Sequence, residues 1–264
     1  MSAAKGTVLI TGASGGIGYA LARLFARDGY PLLLAARSED KLRLIAEELR
    51  APHGVAVTPC AIDLAEPKAA QQLFEVTERQ DQPVEILVNN AGFGSYGPFV
   101  TTDLETTLQI LQLNIVALTE LTRLVVPRLL ERGRGKVLNV ASTAAFQPGP
   151  LMAVYYASKA YVLHFSEALA DELRQTPVTV TALCPGPTAT GFEERAGLGS
   201  SKLFTGRRVM DVETVAAAGY RGLMRGRRLV IPGMWNRLLV FGNRLTPRRV
   251  VTAIVRRMQE RRDA

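Results

Sequence analysis

A glycine-rich turn between a strand and a helix near the N-terminus constrains the fold of this chain most strongly. Residues 7–10 are a short aliphatic run typical of a buried strand, and an amphipathic helix ends at about residue 28. Between them lies Thr11-Gly12-Ala13-Ser14-Gly15-Gly16-Ile17-Gly18. Such a turn brings backbone N–H groups and a helix N-terminus up to a phosphate, and its glycines leave room for that approach. The turn therefore predicts a dinucleotide site rather than a loop that is merely tight.

Strand-like and helix-like segments alternate from residue 7 to about residue 184, which predicts a parallel sheet with helices on both faces. The predicted strands are 7–10, 31–35, 55–62, 86–88, 136–140, 179–183 and 229–231, and the main predicted helices are 39–50, 66–80, 103–130, 152–175, 211–224 and 247–262. The expected fold class is α/β, a Rossmann-type doubly wound parallel sheet in one domain over residues 1–234. Residues 235–264 are expected to form a basic amphipathic C-terminal extension.

Composition narrows the class of protein. The chain has 264 residues, 47% hydrophobic and 21% charged, which fits a folded domain with a sizeable core. It has no run of about 18 uncharged apolar residues, and its N-terminus leads at once into a strand, so neither a spanning helix nor a signal peptide is expected. Cys60 and Cys184 lie in apolar runs and are expected to be buried, reduced thiols of a cytoplasmic protein. No metal site is predicted.

The net charge of +8 is concentrated at the C-terminal end. Residues 205–264 contain 14 Arg and no Lys against four acidic residues, a local charge of +10, whereas the first 204 residues carry −2. Between these arginines, apolar residues recur at helical spacing: Val250, Val251, Ile254, Val255 and Met258. Such a helix can lie on an anionic membrane, or it can pack its apolar side on its own domain or a partner subunit, which a single short stripe favours. Nucleic-acid binding lacks a recognition motif in this sequence.

The end of the second strand bears on the choice of cofactor. Dinucleotide folds that select NAD usually carry an acid there, but this chain has Ala36 followed by Arg37. A guanidinium binds phosphate in a bidentate fork, so Arg37 favours NADP(H) over NAD(H), unless it is only a surface arginine at a helix entry. Ser38 can cap the helix that follows. Asp63, after the third strand, can bond the adenine amino group and can also cap the helix at 66–80.

Tyr155 and Lys159 stand four residues apart on a predicted helix and therefore share one face. A nearby ammonium favours the phenolate and lowers the tyrosine pKa from about 10, which would suit general acid–base chemistry. The same pair also occurs on solvated helix faces. Asn114 lies inside a long apolar helix, where its amide either bonds to local backbone or holds a water at a kink.

Taken together, these motifs resemble the short-chain dehydrogenase/reductase (SDR) family. They are Thr11-Gly12-x-x-x-Gly16-x-Gly18, Asn89-Asn90-Ala91-Gly92, Asn114, Ser142, Tyr155-x-x-x-Lys159 and Pro185-Gly186, in this order over residues 5–235. The resemblance implies an oxidoreductase that transfers a hydride between a nicotinamide and a carbonyl or alcohol. Tyr155 would be the general acid in reduction and the base in oxidation, and Lys159 would lower its pKa and hold the ribose. Ser142 would bond the substrate oxygen, and Asn114 would keep a water in a proton relay.

The resemblance also implies a cofactor site and an oligomer. The residues expected to line the cofactor are Gly12, Ser14, Gly16, Ile17, Gly18, Arg37, Asp63, Asn90, Ala91, Gly92, Tyr155, Lys159, Pro185, Gly186 and Thr188. Members usually pair through two long helices as dimers or tetramers. Many NADP-preferring members have a basic residue inside the glycine turn, where this chain has Ser14, so the preference depends mainly on Arg37. Tyr156 has no lysine four residues on and is expected to pack.

The substrate pocket is expected to combine the loop after Phe93, residues 146–148 and the segment 188–210, which would cover the substrate through Phe192 and Phe204. These apolar side chains favour a hydrophobic ketone, aldehyde or acyl substrate. The alternative is a catalytically silent nucleotide-binding or sensing protein on the same fold. Silent relatives usually lose the Tyr, Lys or Ser that this chain keeps.

Overall fold

The computed structural model of the chain describes residues 5–79, 83–197 and 209–260. The strands are β1 (Thr7–Thr11), β2 (Leu32–Ala36), β3 (Val57–Ala61), β4 (Val84–Asn89), β5 (Gly135–Val140), β6 (Val178–Leu183) and β7 (Leu229–Val230). The helices are α1 (Gly16–Arg27), α2 (Glu39–His53), α3 (Ala69–Glu78), α4 (Leu104–Leu111), α5 (Leu118–Glu131), α6 (Ala153–Glu172), α7 (Phe192–Arg195), α8 (Val212–Met224), α9 (Met234–Leu245) and α10 (Arg248–Gln259).

The seven strands of the described chain form one parallel sheet in the order β3-β2-β1-β4-β5-β6-β7. The chain first moves outward from β1 to β3 and then crosses back to continue from β4 on the other side. The strand order therefore reverses between β1 and β4, and a crevice opens there beyond the carboxyl ends of the strands. The predicted doubly wound α/β fold is confirmed.

The strands are apolar because both faces of the sheet are covered. One hydrophobic cluster packs α1, α2 and α8 on one face, and a second packs α3, α5 and the end of α6 on the other. Cys184 is buried and Cys60 half-buried, and neither forms a disulfide within the described residues. This two-sided burial fixes the sheet rigidly and so positions the groups at its carboxyl edge.

Two predicted helix caps are wrong. The helix after β3 begins at Ala69 rather than at residue 66, and the Asp63 carboxylate instead accepts the Ala65 N–H at 2.9 Å, which closes the turn after β3. Ser38 occupies the N-cap position of α2, but its hydroxyl makes no capping hydrogen bond. The predicted end of α3 at residue 80 lies outside the described residues. Asp211 does cap α8, through the Thr214 N–H at 2.8 Å.

The long apolar helix predicted at 103–130 is continuous but irregular. A π-helical turn, Gln112–Ala117, joins α4 to α5. By length and composition, the helical stretch Leu104–Glu131 could cross a membrane, and 44% of its most apolar window is buried in the domain. It packs against α3, α6 and β4, as a helix of a folded domain does.

The C-terminal helices pack back onto the domain. Val251 and Val255 of α10 are buried in a cluster with Met152 and Tyr156 at the start of α6. The Tyr96 hydroxyl donates to the Gln259 carbonyl at 2.7 Å. The apolar stripe of α10 therefore packs on its own domain, as its short length favours, and both helices lie beside the crevice.

Candidate active site

One cavity of about 920 Å³ follows the carboxyl ends of the strands. The predicted site residues on its wall are Gly12, Ser14, Gly16, Ile17, Arg37, Asp63, Asn90, Ala91, Gly92, Ser142, Tyr155, Lys159, Pro185, Gly186 and Thr188. Gly18 and Asn114 do not line it but stand directly behind the wall, as their contacts below show. The described residues contain no cluster of three or more His, Cys, Asp or Glu that could hold a metal ion. Fifteen of the seventeen predicted site residues thus line one cavity.

The glycine turn at one end is shaped by close contacts that leave no space for a side chain at Gly12 or Gly18. Gly12 and Gly16 have positive φ angles of 65° and 52°, a conformation that side-chain-bearing residues rarely adopt. A Cβ at Gly18 would stand 2.4 Å from the Gly12 carbonyl oxygen. The Asn90 amide donates to the carbonyls of Thr11 and Gly12 at 2.9 and 3.0 Å, which ties β4 to the turn.

The first turn of α1 suits an anion. The helix begins at Gly16 with neither a side-chain cap nor an acidic residue in its first turn. Its N–H groups and the positive end of its dipole therefore face the cavity without a competing carboxylate. This arrangement fits the pyrophosphate of a dinucleotide.

Basic residues line the cavity near the carboxyl ends of β2 and β3, where α2 begins. Arg37, Ser38 and Lys41 line this end, with Asp63 opposite. The Arg37 guanidinium is largely exposed and lies 3.9 Å from the Asp63 carboxylate, a loose pair that costs little to separate. Lys41 was not foreseen from the sequence, although its position four residues after Arg37 could have suggested it. Two cations and an uncommitted hydroxyl thus stand together, as a ribose phosphate would require.

Tyr155 stands in the middle of the cavity wall. Its ring packs against Phe192, with ring centres 5.1 Å apart, and against the backbone of Gly94, where a Cβ would come within 2.9 Å of the ring. Burial raises the pKa of Tyr155 to about 12, and a hydrogen bond with the Ser142 hydroxyl acts in the opposite direction. The phenol is therefore neutral near pH 7, which is the form of a proton donor.

Lys159 is buried one helical turn along and is held by the strand beside it. Its ammonium donates to the Val140 carbonyl at 2.8 Å, and burial lowers its pKa to about 8. Burial is the largest influence on the pKa of both Tyr155 and Lys159, so desolvation opposes the lowering of the Tyr155 pKa that is expected from Lys159.

Ser142 lies at the end of β5, across from Tyr155. Its Oγ accepts the Ala144 N–H at 3.1 Å, which fixes the oxygen while leaving its proton loosely directed at the Pro185 carbonyl, 3.4 Å away. A hydroxyl held in this way can redirect its proton toward a substrate oxygen.

Asn114 lies in the π-helical turn, where its amide is fully engaged. It donates to the Phe93 carbonyl at 2.9 Å and to the Ser158 hydroxyl at 3.0 Å, and it accepts the Phe93 N–H at 3.1 Å. Local bonding, one of the two readings of this residue, is thus present, and the helix is also distorted there. A Cβ at Gly92 would lie 3.0 Å from Asn114 Oδ1 and 3.3 Å from Lys159 Nζ. The backbone of Gly92 therefore lies between the amide and the ammonium.

Tyr156 is buried, as expected of the packing residue predicted there, and it also lines the cavity. Its ring is buried against Gly149, where a Cβ would come within 2.1 Å of it, and burial raises its pKa well above the usual value. Its neighbours include Val251 and Val255 of α10. The Tyr156 ring thus forms part of the surface on which α10 packs.

The far end of the cavity is an apolar chamber, and only some of its residues were predicted from the sequence. Its walls are formed mainly by Phe93, Met152, Phe192, Trp235, Leu239, Val251, Ile254, Val255 and Met258. Phe93 and Phe192 were expected, whereas the residues of α9 and α10 were not. The signal that could have found them is the apolar spacing of residues 250–258, but spacing alone does not say which surface a helix covers. Phe204 lies outside the described residues, and Thr188 bridges to Met210 at the base of the segment that contains it.

Comparisons with known proteins agree with this geometry. The family model described as "short chain dehydrogenase" matches residues 6–201. The ketoacyl reductase HetN of Nostoc sp. is 35% identical over 182 residues, 68% of this chain and 62% of that protein. Sulfoacetaldehyde reductase 2 of Chromohalobacter salexigens is 38% identical over 187 residues, 70% of this chain and 73% of that protein. The chain spans only 59% and 62% of the length of the first two curated relatives.

A solved structure extends the likeness over more of the chain. A short-chain dehydrogenase from Sphingobium yanoikuyae, solved in complex with NADPH, has a TM-score of 0.81 and 36% sequence identity. The alignment covers 91% of this chain and 94% of that one, so it reaches beyond the segment that the family model matches.

Proposed function

This chain belongs to the short chain dehydrogenase family of oxidoreductases, and we propose that it is an NADP(H)-dependent carbonyl reductase or alcohol dehydrogenase acting on a hydrophobic substrate. The observation that carries the proposal is the position of Tyr155. Its phenol, with Ser142 and Lys159, stands on the wall between a polar dinucleotide-shaped end and an apolar chamber of the same cavity. A catalytically silent nucleotide binder would not need these three groups together at that boundary.

The residues fit a nicotinamide dinucleotide. Gly12, Gly16 and the open first turn of α1 would hold the pyrophosphate, and Asn90 supports their backbone. Lys159 and Tyr155 would hold the nicotinamide ribose. When bound, the cofactor supplies the hydride in reduction and accepts it in oxidation.

Side chains of the protein donate and accept the proton of the reaction. In reduction, the neutral Tyr155 phenol gives its proton to the carbonyl oxygen as that oxygen gains negative charge, and the Ser142 hydroxyl donates a hydrogen bond to the same oxygen. Lys159, buried and with its pKa lowered to about 8, would supply the proton that restores the phenol and would regain one from solvent. In oxidation, the same steps run in reverse, with Tyr155 as the base.

The preference for NADP(H) rests on charge at the ribose end. Arg37, Ser38 and Lys41 offer two cations and a hydroxyl that is not used as a cap. Asp63, the carboxylate that lines the cavity beside them, is loosely paired with Arg37. The NADPH complex of a relative with 36% identity supports this choice.

The chamber favours an apolar carbonyl compound. Two relatives are named as reductases of carbonyl compounds, one of a ketoacyl group and one of sulfoacetaldehyde. A sulfonate would need a cation beside it, but Lys159 is the only lysine or arginine among the described residues of α6, α9 and α10 that line the cavity. The ketoacyl-like or simple hydrophobic ketone and aldehyde substrates fit better.

We also propose a homodimer or homotetramer, since family members usually pair through their long helices. Leu104, Leu108 and Val116 leave large apolar surfaces exposed along the α4–α5 stretch, and Tyr161 of α6 is exposed nearby, where its hydroxyl bonds Thr119 at 2.9 Å. A cytoplasmic location stays a prediction from the sequence.

The test is turnover of NADPH against a panel of ketones, aldehydes and acyl thioesters by the native chain and by Tyr155→Phe. Loss of the general acid should lower kcat by about 10³-fold while NADPH still binds, because the pyrophosphate site at Gly12, Gly16 and α1 is unchanged. Tyr161→Phe removes a phenol from the same helix, away from the cavity, and should leave kcat unchanged. NADPH binding by the native chain without turnover of any carbonyl would favour the silent binder, and an active Tyr155→Phe would end the mechanism.

A further inference from the structure

Helix α9 exposes an apolar face to solvent, whereas an ordinary surface helix packs its apolar face on the core. Met234, Leu238, Phe241 and Leu245 recur at intervals of four, three and four residues, which places them on one face. That face points outward, since their exposed fractions are 69%, 54%, 60% and 75%. Such a row of large apolar side chains in contact with water marks a binding surface rather than chance exposure.

The inner face of α9 is partly polar. The Asn236 amide donates to the Pro232 carbonyl at 2.8 Å, and the Asn243 amide donates to Gln147 Oε1 at 2.7 Å. These bonds fix the rotation of the helix, because turning the apolar row inward would leave both amides without these partners. We call the outward row Met234, Leu238, Phe241 and Leu245 the α9 stripe.

The charged residues of α9 and α10 are all arginines. Helices α9 and α10 carry six arginines, and the first acidic residue after Met234 is Glu260. Arg256 pairs with Glu260 at 3.7 Å, and the other five form no ion pair within the part of the chain that the structure describes. Arg237 and Arg244 flank the stripe on α9 itself. An apolar row bordered by unpaired arginines complements an anionic lipid surface, where acyl chains meet phosphate headgroups.

The mouth of the apolar chamber lies next to the stripe. Trp235, Leu239 and Ile254 line the cavity and are also about half exposed, so they form its rim. Trp235 and Leu239 alternate along α9 with members of the stripe. A surface that covers the stripe would therefore border the opening through which an apolar substrate enters.

We propose that the α9 stripe docks this domain on an anionic phospholipid membrane and that the chamber takes its apolar carbonyl substrate from that membrane. The stripe lies among the acyl chains, the arginines meet the headgroups, and the substrate passes between α9 and α10 without crossing water. The delivery step rests on the proposed reductase function, whereas the docking step does not.

Docking is tested by sedimentation with vesicles. The full native chain should bind vesicles containing about one third phosphatidylglycerol at least tenfold more tightly than pure phosphatidylcholine vesicles, and about 0.5 M salt should remove most of this difference. The triple variant Leu238→Ser, Phe241→Ser, Leu245→Ser should bind at least tenfold more weakly. The control Leu44→Ser, Val100→Ser changes exposed apolar residues outside α9 and α10 and should bind like the native chain.

Two outcomes would overturn docking. One is equal binding of the native chain and the triple variant to anionic vesicles. The other is a native oligomer, measured by light scattering, that dissociates in the triple variant while vesicle binding is absent from both, because the stripe would then be covered by a second copy of the chain. Circular dichroism and thermal unfolding of the triple variant confirm that it is folded, so that weak binding reports the stripe.

Delivery is tested by turnover. The triple variant should match the native chain on a short water-soluble ketone and should lose at least tenfold in rate on a long-chain ketone dissolved in anionic vesicles. Equal loss on both substrates would overturn delivery. Absence of turnover by the native chain on every ketone would refute the reductase function while leaving the vesicle-binding result intact, so the two failures can be told apart.

Discussion

The Lys159 ammonium donates to the backbone carbonyl of Val140 at 2.8 Å, and its Nζ lies 5.9 Å from the centre of the Tyr155 ring. The carbonyl at the last position of β5 thus holds the charge, while burial lowers the lysine pKa to about 8 and raises that of Tyr155 to about 12. Both groups are pushed toward their neutral forms. Desolvation is therefore the largest influence on both pKa values.

The pKa of Lys159 makes a prediction about stability and pH. Its folded value of about 8 is below its usual 10.5, so between these two values the unfolded chain holds a proton that the folded chain has lost. Folding then becomes more favourable as pH rises through this window, by about 3 kcal/mol in total. In Lys159→Met the residue cannot titrate. We compare the free energy of unfolding of Lys159→Met with that of the native chain. The value for the variant minus the value for the native chain should be about 3 kcal/mol lower at about pH 10 than at about pH 7.

The measurement is the free energy of urea unfolding of both proteins, without cofactor, at the two pH values. Groups that do not interact with Lys159 titrate equally in both chains and cancel in the difference. A difference that stays constant with pH would show that Lys159 is not desolvated as the structure indicates.

The fold and the polar end of the site could be predicted because their determinants are local. Gly12 and Gly18 must lack side chains so that β1, the glycine turn and α1 can pack together. These glycines lie within a few residues of each other, so the sequence alone reveals the requirement. The spacing of Tyr155 and Lys159 likewise fixes a shared helix face. Strand ends then meet at one edge of a parallel sheet, which brings distant motifs together without further information.

The rest depended on packing between distant segments. Residues 250–258 show that a helix has a buried face, but the surface that it covers is made by Met152 and Tyr156, almost a hundred residues earlier. The pKa of Lys159 depends on how completely β5 and α6 enclose it, which spacing does not reveal. Asp63 is a residue type that commonly caps helices, but its carboxylate accepts the N–H of Ala65 instead.

A second prediction concerns the glycine turn. In Gly18→Ala the added Cβ would stand 2.4 Å from the Gly12 carbonyl oxygen and 2.5 Å from the Asn90 amide nitrogen, so the turn must shift. We expect a loss of about 2 kcal/mol or more in the free energy of unfolding, together with weaker NADPH binding.

Gly15→Ala is the matched control for this substitution. Gly15 has extended backbone with φ 169°, and a Cβ there meets no atom within 4 Å among the described residues. Its unfolding free energy should change by less than about 0.5 kcal/mol. Equal destabilisation by both alanines would show that the contacts at Gly18 do not hold the turn.

A third prediction concerns the cofactor preference. Replacing Arg37 by Asp removes a cation and adds a carboxylate where a 2′-phosphate would bind, so the ratio of kcat/KM for NADPH over NADH should fall by at least about tenfold. Lys41→Gln should lower the same ratio by a smaller factor, about threefold, because lysine acts as a point charge rather than a fork.

Arg43→Gln tests whether these effects need the cavity. Arg43 lies on the same helix and pairs with Glu39 at 2.5 Å, but it does not line the cavity. It should leave the ratio unchanged. An unchanged ratio in Arg37→Asp would remove the structural basis for the NADP preference.

The last prediction concerns the apolar chamber and compares two branched residues of α10. Ile254 and Val250 are both about half exposed, but only Ile254 is among the described residues that line the cavity. Ile254→Ala removes three carbons from the chamber wall and should lower kcat/KM for a bulky apolar ketone by about fivefold, corresponding to about 1 kcal/mol of lost contact. The KM for NADPH should not change, because the polar end of the cavity lies elsewhere. Val250→Ala should leave both constants as they are. If instead both alanines reduced turnover equally, α10 would act by stabilising the domain, and the chamber would have to be closed by other residues.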